Sequence, residues 1–136
     1  MLAKLGIKEG FAILVVNPPS DYQEELGSLP KGVITETRPG RPLDFVHLFA
    51  TSRGQLEEEF PKLKEVLSQE GMLWVSWPKR SSGVETDLSE RLVREIGLDN
   101  GLVDVKIASI DETWSGLKFV RRLRDRKRSG AARRRK

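Results

Sequence analysis

The sequence predicts an α/β domain: an open, mostly parallel sheet with helices on both faces and a C-terminal antiparallel β-hairpin, followed by a basic tail. Three observations carry this. Short apolar runs alternate with amphipathic stretches over the first 120 residues, the pattern of right-handed βαβ units. The last two apolar runs, 102–110 and 117–120, are too close together to hold a helix between them and should pair antiparallel. Charge is split along the chain. Of 24 Lys and Arg, ten fall in residues 121–136 against one acid, Asp125, a net +9, which leaves 14 bases and 19 acids, a net −5, in residues 1–120.

Phe11-Ala-Ile-Leu-Val-Val16 is an unbroken apolar run, as expected of a strand covered on both faces. Asn17-Pro18-Pro19 stops it, because proline donates no ladder hydrogen bond. Ser20 is the expected cap of a helix from Asp21 to Leu26, with Asp21 and Glu24 favourable near the positive end of its dipole and Gly27 as its stop. Gly32–Glu36 and Leu43–Phe49 read as the next two strands. From Thr51 or Ser52 a helix is expected to run to Gly71, since Leu56, Phe60, Leu63, Val66 and Leu67 recur at spacings of three and four. Pro61 lies in its middle and is expected to kink or divide it. Met72–Trp77 is a strand ended by Pro78, and Trp74 and Trp77, an odd number of residues apart, point to opposite faces. Asp87 or Ser89 caps a helix through Leu92, Val93 and Ile96 to Gly97, and Leu102–Ile110 with Leu117–Val120 makes the hairpin. The domain is therefore read as 1–120, with 121–136 a self-repelling tail that is disordered when free.

A chain of 136 residues makes one domain that needs no staple to fold. The absence of Cys excludes disulfides, thiolate zinc sites and a cysteine nucleophile. The single histidine, His47, leaves any metal site to carboxylates, and none is expected. His47 sits between Val46 and Leu48 in an apolar strand, where a core imidazole with one satisfied nitrogen is a better reading than a catalytic base. No apolar run approaches the roughly 20 residues needed to cross a bilayer, and Met1–Lys8 lacks the apolar region of a secretory signal, so a cytoplasmic protein is expected.

Ligands in an open α/β sheet lie outside the carboxyl ends of the strands. Asn17, Ser20, Glu36, Thr51, Arg53, Lys79, Arg80, Asp111, Glu112 and Trp114 fall near such ends. Lys79 and Arg80, followed by Ser81-Ser82-Gly83, either hold an anion or form a charged surface turn, the second being the commoner outcome. Asp111 and Glu112 suit an acid/base pair or Mg²⁺, but equally suit ion pairing or capping of the hairpin turn. Trp114 either stacks on a ligand or packs against Trp77. The tail residues Arg121, Arg122, Arg124, Arg126, Lys127, Arg128, Arg133, Arg134, Arg135 and Lys136 suit salt-dependent contact with nucleic acid, a ribosome or another polyanion, or serve only to solubilise. The tail carries no aromatic residue, and Leu123 alone offers no apolar face for a membrane.

The order of elements from Leu43 to Val120 resembles the second half of class I methyltransferases that use S-adenosylmethionine, a Rossmann-like fold. Lys4–Gly10, Val15–Pro19, Leu73–Lys79 and Asp111–Lys118 resemble a family of small bacterial proteins known only as a domain of unknown function. The methyltransferase resemblance implies a cofactor at the first strand's end, with Glu36 placed where such enzymes keep a carboxylate for ribose hydroxyls. The turn departs from the pattern, because Asn17–Asp21 has no glycine and two prolines remove two amide donors. Asn17-Pro18-Pro19 also resembles the Asn-Pro-Pro-aromatic signature of amino-directed DNA methyltransferases, but Ser20 stands where the aromatic belongs and Tyr22 comes two positions late. A body of 120 residues is also short for a complete enzyme of this class. The resulting expectation is a non-catalytic binding or adaptor module with no established cofactor, and the alternative is a small S-adenosylmethionine-dependent enzyme. A cavity between the first strand's end and Glu36 favours the alternative; its filling by Pro18, Pro19 and Tyr22 favours the adaptor.

Overall fold

A computed structural model of the chain describes residues 5–37 and 42–123. Its six strands, β1 (Ala12–Val16), β2 (Ile34–Glu36), β3 (Leu43–Phe49), β4 (Leu67–Pro78), β5 (Leu102–Ser109) and β6 (Trp114–Arg121), form one sheet in the order β2-β1-β3-β4-β6-β5. β1 to β4 are parallel, and β6 runs against both β4 and β5, between which it is inserted. The helices are α1 (Tyr22–Leu26), α2 (Arg53–Glu65) and α3 (Glu90–Asp99), with a short 3₁₀ turn at Arg80–Ser82.

Both faces of the central strands are covered, which is why those strands read as apolar runs. On one face Leu14, Val46, Leu48, Val75 and Trp77 pack with Leu56, Phe60, Leu63, Val93 and Ile96 from α2 and α3. On the other, Ile13, Phe45, Phe49, Met72 and Trp74 meet Leu5, Ile7 and Tyr22. Trp74 donates from Nε1 to the Leu5 carbonyl at 2.9 Å, tying the N-terminal segment to the sheet. Trp74 and Trp77 face opposite sides, as the odd spacing requires.

Four local expectations are corrected. Asp21, not Ser20, is the N-cap of α1, and no side chain caps that helix. α2 opens at Ser52, whose hydroxyl accepts from the Gln55 amide, but it stops at Val66, and β4 begins at Leu67. Gly71 lies inside β4 at an irregularity where Leu43 pairs with Leu67 and Phe45 with Met72; a Cβ on Gly71 would lie 2.7 Å from the Leu43 carbonyl oxygen. Pro61 does not divide α2, which runs from Arg53 to Glu65 with Pro61 on its exposed side. Gly97 does not end α3 either. It lies within the helix where the Phe119 ring occupies the place of a side chain, and the stop falls at Asn100 and Gly101, which takes φ +89°.

The folded body also extends past Val120. Arg121, grouped with the tail by charge, ends β6 and donates to the carbonyls of Lys64 at 2.9 Å, Leu67 at 2.7 Å and Ser68 at 3.4 Å. Its guanidinium thus gives a donor to one carbonyl in the last turn of α2, that of Lys64, and to two at the start of β4. Residues 124–136, the remainder of the expected basic tail, lie outside the described residues.

Candidate functional site

Because β1 to β4 and β5 share one direction, the strand-end candidates lie on the same edge of the sheet. They fall into two groups with β3 between them. The first surrounds a cleft of about 500 Å³ at the carboxyl ends of β1 and β2, walled by Pro18, Pro19, Ser20 and Tyr22 on one side and by Thr35, Glu36 and Thr37 on the other. A second cleft of about 370 Å³ shares Val15 and Thr37 and runs past Asn17 to Glu59, Lys62 and Leu63 of α2. Clefts of this size are in the range that holds small ligands, roughly 300–1,000 Å³.

Asn17 takes φ 57°, the one left-handed non-glycine residue among those described, so the chain reverses out of β1 without a glycine. Pro18 and Pro19 follow and carry no N–H to offer. Ser20, freed from capping, lines the cleft. Glu36 ends β2 beside it and already has an electrostatic or hydrogen-bonding partner. The cleft is therefore open rather than filled by Pro18, Pro19 and Tyr22, which form part of its wall.

Beneath the cleft lies a buried polar chain. Tyr22 Oη is 3.0 Å from His47 Nδ1, and His47 Nε2 is 2.8 Å from Ser76 Oγ. His47 and Ser76 are fully buried, and Tyr22 is nearly so. Burial pushes the His47 pKa down to about 3 and raises that of the Tyr22 phenol. At neutral pH the imidazole is uncharged and carries one proton, so it donates one of these bonds and accepts the other. Both ring nitrogens are engaged, one more than expected, and neither is available as a base. His47 also stacks on Phe49 at 4.2 Å, and Phe49 meets Tyr22 edge-on at 5.4 Å. The partners Tyr22 and Ser76 were missed in the sequence; the available signal was a lone polar residue, Ser76, in an apolar central strand.

The second group lies at the ends of β4, β5 and β6. Lys79 donates through Nζ to Ser109 Oγ at 2.6 Å and through its main-chain N–H to the Thr113 carbonyl at 2.7 Å, so it clips the hairpin to β4. Arg80 opens the 3₁₀ turn and lines a separate cleft of about 510 Å³ that also exposes Glu85 and Glu90, giving this wall mixed charge. Asp111 Oδ1 accepts from the Thr113 and Trp114 amides, each at 2.8 Å, which caps the hairpin turn. Trp114 packs edge-on against Phe49 at 5.0 Å and not against Trp77, which faces the other side of the sheet. Through Phe49, which meets Tyr22, it is linked to one wall residue of the first cleft. Among the described residues no three His, Asp or Glu side chains gather as a metal site, and no helix is long and apolar enough to cross a membrane.

No protein-family model matches the chain, and no curated protein matches it in sequence. Solved structures do match its fold. An S-adenosylmethionine-dependent methyltransferase from Aquifex aeolicus superposes with a TM-score of 0.59 at 16% identity, covering 87% of this chain and 86% of that one. Magnesium protoporphyrin IX methyltransferase from Synechocystis PCC 6803, with bound S-adenosylmethionine, gives 0.60 at 13% identity over 89% of this chain and 74% of its own. Ribosomal protein L11 methylase from Lactobacillus delbrueckii subsp. bulgaricus gives 0.59 at 12% identity over 89% and 74%. The chain thus has the Rossmann-like fold of class I methyltransferases.

Proposed function

We propose that this chain is a non-catalytic binding module on a methyltransferase-like scaffold, brought to nucleic acid by the positive charge of its C-terminal segment. The observation that carries the reading is the turn after β1. Where the methyltransferase resemblance calls for glycines that admit a cofactor to main-chain amides, this chain has left-handed Asn17 followed by two residues without N–H groups. The residues present therefore do not fit S-adenosylmethionine at that end of the cleft, although Glu36 suits ribose hydroxyls at the other. No residue lining the cleft supplies a free imidazole or thiol, the chain has no cysteine, and its one histidine is engaged by Tyr22 and Ser76.

The open cleft beside Glu36 supports a second reading, a small enzyme or binder of a ribose-bearing cofactor. The nucleic-acid arm of the proposal is tested by binding to a labelled duplex at low and moderate salt, with the full chain and with a variant in which every Arg and Lys of 124–136 is Gln. The proposal expects the wild type to bind more weakly as salt rises and the variant to lose most of its affinity. Equal affinity for both chains would remove the segment from the account.

A further inference from the structure

We propose that the cleft between the end of β4 and the start of α3 binds a small zwitterion, a free α-amino acid with an apolar side chain, through Trp77, Arg80 and Glu85. It shares no lining residue with the two clefts at the end of β1 and is independent of the nucleic-acid reading. Its volume of about 510 Å³ is within the range of small-molecule sites. Trp77 borders it, is only 5% exposed, and has no acceptor for its indole N–H among the described residues. Trp74, three residues earlier in the same strand, gives its indole N–H to the Leu5 carbonyl. A buried donor is ordinarily paired, and a ligand in the cleft that Trp77 borders supplies the missing acceptor.

Other donors on this wall are also unengaged. Lys79 is committed to Ser109 and to the Thr113 carbonyl, whereas Arg80 beside it is exposed and its guanidinium has no partner among the described residues. At the start of α3 the Ser89 hydroxyl takes the Leu92 amide and the Ser89 carbonyl takes the Val93 amide, while the Glu90 and Arg91 amides have no acceptor among the described residues. These donors suit a carboxylate, which a guanidinium holds through two parallel bonds. A simple anion does not suit the wall, because Glu85 and Glu90 also line it. Glu90 is held by Arg94 at 2.7 Å, but Glu85 is exposed and has no counterion among the described residues. A ligand with an ammonium beside its carboxylate answers both charges, the carboxylate going to Arg80 and Trp77 and the ammonium to Glu85. The rest of the wall selects the side chain: Val84 is 43% exposed there, and with Pro78 and Leu88 it offers apolar surface for a ligand to cover.

The test is calorimetric titration of the full chain with L-leucine, alongside isocaproate, which lacks the ammonium, isoamylamine, which lacks the carboxylate, and inorganic phosphate. L-Leucine is expected to give a one-site isotherm, with isocaproate and isoamylamine each at least about tenfold weaker, as loss of a hydrogen-bonded charge requires. Arg80→Gln and Glu85→Gln should each weaken L-leucine at least about tenfold. Both should keep the wild-type melting temperature, since neither side chain has a partner among the described residues. Arg80→Gln should leave isoamylamine unaffected, and Glu85→Gln should leave isocaproate no weaker than before. Trp77→Phe, which keeps an aromatic body and removes the N–H, should weaken L-leucine about fivefold. If that variant fails to fold, the two charge variants still decide the matter. No saturable heat with L-leucine, tighter binding of phosphate or isocaproate than of L-leucine, or wild-type affinity in either charge variant overturns the site.

Discussion

His47 is the only histidine, so the pH dependence of stability above the carboxylate range reports on one buried side chain. Its folded pKa of about 3 lies well below the ordinary value of 6.5. The unfolded chain therefore binds a proton between these values that the folded chain refuses, and stability falls as pH falls through this window. At about 1.4 kcal/mol per pH unit the loss between pH 8 and pH 5 is about 2 kcal/mol. Ordinary carboxyl groups titrate nearer pH 4 and add their own effect only lower down. Urea denaturation at pH 8, 6.5 and 5 measures the loss, and it should flatten in His47→Gln. Should that variant fail to fold, the imidazole ¹⁵N shifts of the wild type serve instead, and they should remain those of a neutral ring at pH 5. Equal stability at pH 8 and pH 5, or a ring that charges near pH 6.5 in the folded protein, would refute the sealed Tyr22–His47–Ser76 chain.

Two substitutions probe the corrected boundaries. In Gly97→Ala the new methyl would meet Phe119 Cζ at 2.6 Å and Cδ1 at 2.7 Å, so overpacking of about 1–3 kcal/mol should outweigh the gain in helix propensity of about 1 kcal/mol. Denaturant unfolding that shows the variant equal to or more stable than wild type would restore Gly97 as a helix stop. Arg121→Ala leaves three main-chain carbonyls without their donor and should cost about 2 kcal/mol while sparing nucleic-acid affinity. Lost affinity with unchanged stability would return Arg121 to the tail.

Strands covered on both faces were legible because apolar residues dominate them: β1 is seen as the unbroken run Phe11–Val16, β3 as Leu43–Phe49 despite Asp44 and His47, and the hairpin follows from its short connection. The end of α2 was not legible, because a side chain 57 residues further along supplies the donor for one of its last carbonyls. Gly71 and Gly97 look like stops in sequence, yet each is needed for close approach, to the Leu43 carbonyl and to the Phe119 ring, which no local window contains. The same limit applies at the site. The strand-end rule placed Asn17, Ser20 and Glu36 beside two adjoining clefts. The wall formed by Val15, Gln23, Thr35 and Thr37, and the polar chain beneath it, arise from pairing of β1, β2, β3 and β4. Of the two roles expected of Ser20, the place beside the cleft holds and the helix cap does not.

The central claim is that the glycine-free turn after β1 has lost the cofactor grip that this fold offers. It is tested most directly by calorimetric titration of the full chain with S-adenosylmethionine up to millimolar concentration, paired with a melting curve in the same buffer. The account predicts no saturable heat and an unchanged melting temperature. One-site binding with a matching rise in melting temperature, as linkage requires of a ligand that binds only the folded state, would contradict it.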